Sequence, residues 1–281
     1  MALRDAVYGL AVGDALGVPY EFKSRGGFRC EDMVGYGTHY QPAGTWSDDS
    51  SMALALADSI RVCGIVDTDD MRERFRAWIF DGEYTADGVV FDYGGTTYRA
   101  LESGKGEDSE FSNGNGSLMR TAPLAYTDAS DEEIRAVSAI THATDLCCSL
   151  CVDYVHLLRE LCELNAETDD EIRMARRAAW KASIREMVEN AIANPDGGIA
   201  VDGVPESGGY VLHTYYAALW CFATTDSYRD CVLRAVNLGS DTDTTATVAG
   251  ALAGEYYGIE AIPGDWLEKL RGKDVIEHCL F

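Results

Sequence analysis

Two short clusters of oxygen-bearing side chains carry the chemistry this sequence offers: Ser47-Asp48-Asp49-Ser50 and Ser240-Asp241-Thr242-Asp243-Thr244. Neither contains His or Cys, and carboxylates with hydroxyls are hard donors that select Mg²⁺, Mn²⁺ or Ca²⁺ over Zn²⁺. Each cluster sits where an apolar run of helical spacing begins, so one capping Asp in each would be ordinary. Two adjacent acids plus Ser47 exceed what a cap needs. In the second cluster Asp241, Asp243 and Thr244 stand at one- and two-residue spacings and can turn toward one centre. A cation there meets the helix's partial charge of roughly +0.5, which four full carboxylates outweigh. Positions 49 and 241 are remote in sequence, so only the fold can unite the two halves of such a site.

The elements that must position these clusters are helical. Residues 171–191 place Ile172, Ala175, Ala179, Trp180, Ile184, Met187, Val188 and Ala191 on one face at three- and four-residue steps. Similar spacing predicts helices over 2–12, 50–62, 69–80, 131–141, 145–163, 208–223, 228–238, 243–257 and 265–271, and no stretch alternates convincingly as a strand. Acids at 131–133 mark a helix start, while Gly239 and Gly258 follow apolar runs as helix stops. Gly250 and Gly254, set among Ala249, Ala251 and Ala253, make the 243–257 helix slender enough for close packing inside a bundle. The segment 103–117, SGKGEDSEFSNGNGS, reads as a loop.

Composition narrows the function classes. The 281 residues are 47% hydrophobic and carry a formal charge of −24, ample for a large core and repulsive toward nucleic-acid phosphates. No run approaches the ~18 apolar residues of a membrane span. Arg4, Asp5 and Asp14 interrupt the first apolar stretch, against a signal peptide, so a cytoplasmic protein with no membrane or nucleic-acid partner is expected. Nine cysteines, an odd number scattered through apolar stretches, fit buried thiols better than a disulfide framework, and Cys148 and Cys151 read as core packing.

The ordered set GLAVGDALGVPYEF (9–22), GTWSDDSSMAL (44–54), FDYGGTT (91–97), NGNGSLMRTAPL (113–124), THAT (141–144), GYVLHTYYAALWCF (209–222) and NLGSDTDTTATVAG (237–250) resembles the ADP-ribosylglycohydrolase family. The resemblance spans Gly9 to Gly258. It implies an all-α fold, a compact orthogonal multi-helix bundle with a binuclear metal site in a central cleft, in one domain over 1–281. It also implies two divalent cations, Mg²⁺ or Mn²⁺, held by Ser47, Asp48, Asp49, Asp241, Asp243 and Thr244. Glu21 matches the family's acidic residue near those metals, and Asp14 is expected to fix the first helix and adjoining loops.

The loop Asn113-Gly114-Asn115-Gly116-Ser117-Leu118-Met119-Arg120 resembles the family's phosphate-binding loop, and small residues there would let backbone N–H groups approach a pyrophosphate. It lacks the Gly-Lys-Ser/Thr ending of a Walker loop. His142 is a candidate for hydrogen bonding to ADP-ribose, Asp92 for the ribose or leaving group, and Tyr93 and Tyr210 for flanking an adenine. The implied reaction is metal-dependent hydrolysis of the α-glycosidic bond between ADP-ribose and an acceptor such as an arginine side chain on a modified protein. Glu21 or Asp92 is the candidate for proton transfer, with Asp48 among the essential residues. Serine-linked ADP-ribose, poly(ADP-ribose) and O-acetyl-ADP-ribose are alternative substrates. A two-metal phosphohydrolase and a non-catalytic crystallin-like relative are alternative classes.

Overall fold

A computed structural model describes residues 3–194 and 197–281; Ala2, the first residue of the helix expected over 2–12, lies outside them. Among the described residues the chain forms α1 (Leu3–Gly17), α2 (Asp48–Cys63), α3 (Thr68–Asp81), α4 (Gly95–Ser103), α5 (Asp131–Ala139), α6 (Asp145–Asn165) and α7 (Asp170–Ile192). A small ribbon, β1 (Ala200–Val201) with β2 (Val204–Pro205), leads to α8 (Val211–Ala223), α9 (Tyr228–Asn237), α10 (Thr242–Tyr257), α11 (Gly264–Lys269) and α12 (Lys273–Cys279). The architecture is all-α. Side-chain caps set many of the starts: Asp67 for α3, a Ser130/Glu133 capping box for α5, Thr144 for α6, Asp169 for α7 and Ser227 for α9.

The centre is a helix pair, α1 against α10. Gly9, Gly13 and Gly17 recur every four residues on one face of α1. A Cβ on Gly9 would sit 2.2 Å from the Gly250 carbonyl oxygen, one on Gly13 2.2 Å from that of Ala246, and one on Gly17 2.3 Å from the Asp243 Cα. Only hydrogen at these positions lets the two backbones touch. The Tyr228 hydroxyl donates to the Gly9 carbonyl at 2.7 Å and the Thr242 hydroxyl to that of Gly17 at 2.8 Å, locking the register. α10 is buried from Thr242 to Glu255, and α2 from Asp48 to Ile60, so both acid clusters begin helices that run through the core.

Several expectations shift. The 208–223 helix starts only at Val211, because Gly209 and Tyr210 pair with the loop at Asn113–Asn115: the Asn115 N–H donates to the Gly209 carbonyl and Val211 N–H to that of Asn113. α4 and α12 were not foreseen; they bury three and two residues respectively, too few for a period to stand out. On α7 only Ile184 and Val188 are buried, while Ile172 remains 49% exposed, because α7 meets α6 and α8 along part of its length and leaves the rest of the stripe outside. All nine cysteines are free thiols, with Cys148 and Cys151 buried in α6. No helix among the described residues is long and apolar enough to cross a membrane.

Candidate active site

The two acid clusters meet at Asp49. Its Oδ2 accepts a hydrogen bond from the Ser47 hydroxyl at 3.2 Å and another, also 3.2 Å, from the Thr244 hydroxyl at the start of α10. Asp14, fully buried on α1, accepts from Ser47 N (2.9 Å), Ser50 N (3.0 Å) and the Ser50 hydroxyl (2.6 Å), so it anchors the first cluster to the central helix pair. Carboxylate oxygens of Asp14, Asp49 and Asp243 lie within 4.8 Å of one another. Asp241 is held by the Asn115 side-chain amide at 2.8 Å, which also donates to the Thr214 hydroxyl.

Three oxygens in this group, Asp49 Oδ1, Asp241 Oδ1 and Asp243 Oδ2, are buried with no hydrogen-bond partner among the described residues. A buried carboxylate oxygen without a donor is costly, and such oxygens on acids of both clusters fit a cation. Burial and mutual repulsion push Asp48, Asp49 and Asp243 well above the ordinary carboxylate range. Asp241 shifts the same way by burial, opposed by its bond from Asn115. A divalent ion would reverse these shifts by supplying the missing positive charge. The donor set therefore suits a hard metal ion, with Asp48, Asp49, Asp241, Asp243 and the hydroxyls of Ser47 and Thr244 as available ligands.

A second group overlaps the first. Glu21, His39, Asp92 and Asp243 each offer an atom within 4.8 Å of the others. Glu21 follows the short helical turn after α1, and its carbonyl accepts the Thr38 hydroxyl at 2.8 Å. Its carboxylate is hydrogen-bonded to His39 Nε2, which is 4.0 Å from Asp92 Oδ2. Burial, then the charges of Asp92 and Asp241, pushes Glu21 up to about 8 against the opposing bond from His39. The same bond raises His39. The pair thus holds a proton near neutral pH. Backbone strain collects here: Phe22, Tyr40, Asp92 and Ser240 all have positive φ, an uncommon state for residues with side chains.

Glu21, Asp48, Asp92, Tyr93, Asp241 and Thr244 line a cleft of about 290 Å³ together with Gly114, Asn115, Gly116, Met119 and His142. Larger depressions, of about 670, 580, 440 and 410 Å³, hold none of these residues. Gly116 is small by necessity, since a Cβ there would be 2.7 Å from His142 Cε1 and 3.1 Å from the Thr97 hydroxyl. His142 is buried, with Nδ1 2.8 Å from the Thr141 hydroxyl; burial and the Arg120 charge push it down to about 3, so its ring is neutral.

Other expected contacts sit differently. Ser117 turns inward, accepting from the Ser138 hydroxyl at 2.9 Å, and does not line the cleft. Asn113 uses its amide on the Glu110 carbonyl, and Tyr210 packs edge-on against His213; neither lines the cleft. Ser47, Asp49 and Asp243 are buried behind the lining. The residue that sequence reasoning missed is His39. It is a single His in a loop of Gly and Tyr, and no spacing marks it.

The ADP-ribosylglycohydrolase family model matches residues 2–280. The chain is 35% identical to an ADP-ribosylarginine hydrolase, Tri1, of Pseudomonas putida, over 95% of this chain and 73% of that protein. It is 30% identical to the ADP-ribosyl-[dinitrogen reductase] glycohydrolase of Rhodospirillum rubrum, over 94% and 88%. A solved structure titled as an ADP-ribosylglycohydrolase-related protein complex superposes with a TM-score of 0.77 at 32% identity, covering 99% of this chain and 95% of that one.

Proposed function

This chain belongs to the ADP-ribosylglycohydrolase family, and from that premise we propose that it releases ADP-ribose from the arginine side chains of ADP-ribosylated proteins. The observation that carries the reading is the set of buried, unpartnered carboxylate oxygens from both clusters, with Asp241 lining and Asp49 and Asp243 lying behind a cleft that the Gly114–Gly116 loop also lines. We further propose that residues 1–281 act as one domain, a reading supported by the packing of α1 along α10.

Two divalent cations, Mg²⁺ or Mn²⁺, are the proposed cofactors, with Ser47, Asp48, Asp49, Asp241, Asp243 and Thr244 as their ligands. When bound, such ions orient hydroxyls of the sugar and lower the pKa of a water. The rest falls to side chains. Small residues at Gly114 and Gly116 leave backbone N–H groups open to a diphosphate, and neutral His142 beside them is a hydrogen-bonding partner rather than a second charge. The carboxylates around the reacting carbon favour positive charge developing there.

Hydrolysis breaks the bond from C1″ to the guanidine nitrogen, adds the water's hydroxyl to C1″ and returns a proton to the nitrogen. Glu21 is the candidate for moving that proton, because it shares one with His39 near neutral pH. Asp92 faces the same space as a second carboxylate. The test supplies ADP-ribosylarginine and ADP-ribosylserine and identifies the products. Intact ADP-ribose with free arginine is expected; AMP or phosphate instead would assign a phosphohydrolase, and release from serine alone would move the acceptor class.

A further inference from the structure

Phe22 lines the cleft and yet is 70% exposed, on a backbone with φ of +63°. Single exposed aromatics are ordinary on protein surfaces, and one at a cleft lip could be only that. Two further features separate this one. A bulky side chain at positive φ is a genuine outlier and persists only where the surroundings impose it. Here they do: the Phe22 N–H donates to the Ser240 carbonyl at 2.7 Å, and the Ser240 N–H donates back to the Lys23 carbonyl at 2.8 Å. The Phe22 backbone is therefore fixed to the turn that presents Asp241, and Ser240 is itself held at positive φ.

The neighbourhood tells what the ring would meet. Phe22 directly follows Glu21, and its ring centroid is 6.0 Å from that of His39, the partner of the Glu21 carboxylate. The Gly-rich loop touches the carboxylates at Asn115, whose amide donates to Asp241, while its Gly116 packs tight against His142. A ribose placed between the diphosphate loop and the carboxylates presents its acceptor bond at the Glu21 end. There an acceptor finds an aromatic ring in the same lining as the Asp92 carboxylate and the proton-sharing Glu21. A guanidinium suits that combination, since it stacks on aromatic faces while its planar fork engages carboxylates. A serine acceptor offers neither property.

We propose that Phe22 is the acceptor-side specificity residue, an aromatic platform on an anchored backbone on which the planar cationic acceptor stacks while Glu21 and Asp92 take its edge. The proposal rests on the arginine-acceptor reading above. Its test measures kcat and KM on ADP-ribosylarginine for the native chain, Phe22→Leu and Phe22→Tyr, with the inhibition constant of free ADP-ribose for each. Phe22→Leu should raise KM about fivefold, the scale of a lost cation–π contact, while Phe22→Tyr stays within about twofold. The inhibition constant of free ADP-ribose, which has no acceptor, should not move in either variant.

An unchanged KM in Phe22→Leu overturns the proposal, as does an equal rise in the ADP-ribose inhibition constant. Phe22→Met, which also lacks a ring, carries the same comparison if the Leu variant does not fold. A native chain that is silent on ADP-ribosylarginine defeats the reading beneath the proposal and the proposal with it. An active native chain with an indifferent Phe22 defeats the proposal alone.

Discussion

Asp49 joins positions that are almost two hundred residues apart, accepting one hydrogen bond from the Ser47 hydroxyl and one from the Thr244 hydroxyl while its other oxygen has no donor. Buried among like charges, its carboxyl is raised, so the ionised form destabilises the metal-free fold at neutral pH. Asp49→Asn should therefore leave the metal-free melting temperature equal or higher, abolish the rise on adding Mg²⁺ or Mn²⁺, and cut turnover by about 10²-fold or more. Paired melts with and without metal, beside an activity assay, check all three. At Glu21 the expectation is different. Glu21→Gln removes the shared proton but keeps the shape, so kcat should fall by about 10²–10⁴ while ADP-ribose binding measured by calorimetry stays close to native.

The site exists because two helices come closer than side chains usually allow. Asp14 on α1 and Asp243 on α10 are brought together by the glycines between their backbones. Gly13→Ala should cost about 1–3 kcal/mol, since its Cβ would strike the Ala246 carbonyl, and should weaken metal binding by displacing the start of α10. Gly264→Ala, where a Cβ meets open space, should be neutral or slightly stabilising; chemical denaturation of both variants makes the comparison. The acid clusters and the helices they start could be read from spacing, because capping chemistry and apolar period are local signals. The four-residue recurrence of Gly9, Gly13 and Gly17 was also in the sequence, but without its partner helix it is only a run of small residues. His39 and the inward turn of Ser117 were not legible at all, since both are set by tertiary contacts with Glu21 and Ser138.

At the scale of the molecule, a net charge of −24 surrounds a buried knot of carboxylates, and both act against the metal-free fold. Asp14 is pushed up to about 6 by burial, Glu21 to about 8, and Asp48, Asp49 and Asp243 upward by burial and one another. Groups raised on folding add stability below their unfolded values that is lost as pH climbs through the folded ones. His142 is depressed to about 3 and acts oppositely, subtracting stability only below its unfolded value of about 6.5. Between pH 6.5 and 8, then, the metal-free protein should lose stability as pH rises, and saturating Mg²⁺ should flatten that slope; melts across this window decide it. The central claim, that both clusters serve one metal centre, is tested most directly by counting Mn²⁺ bound per chain by calorimetry or magnetic resonance in the native protein, Asp49→Asn and Asp243→Asn. Two ions are expected in the native chain, with binding lost on substitution from either side. Undiminished binding in either variant would contradict that claim.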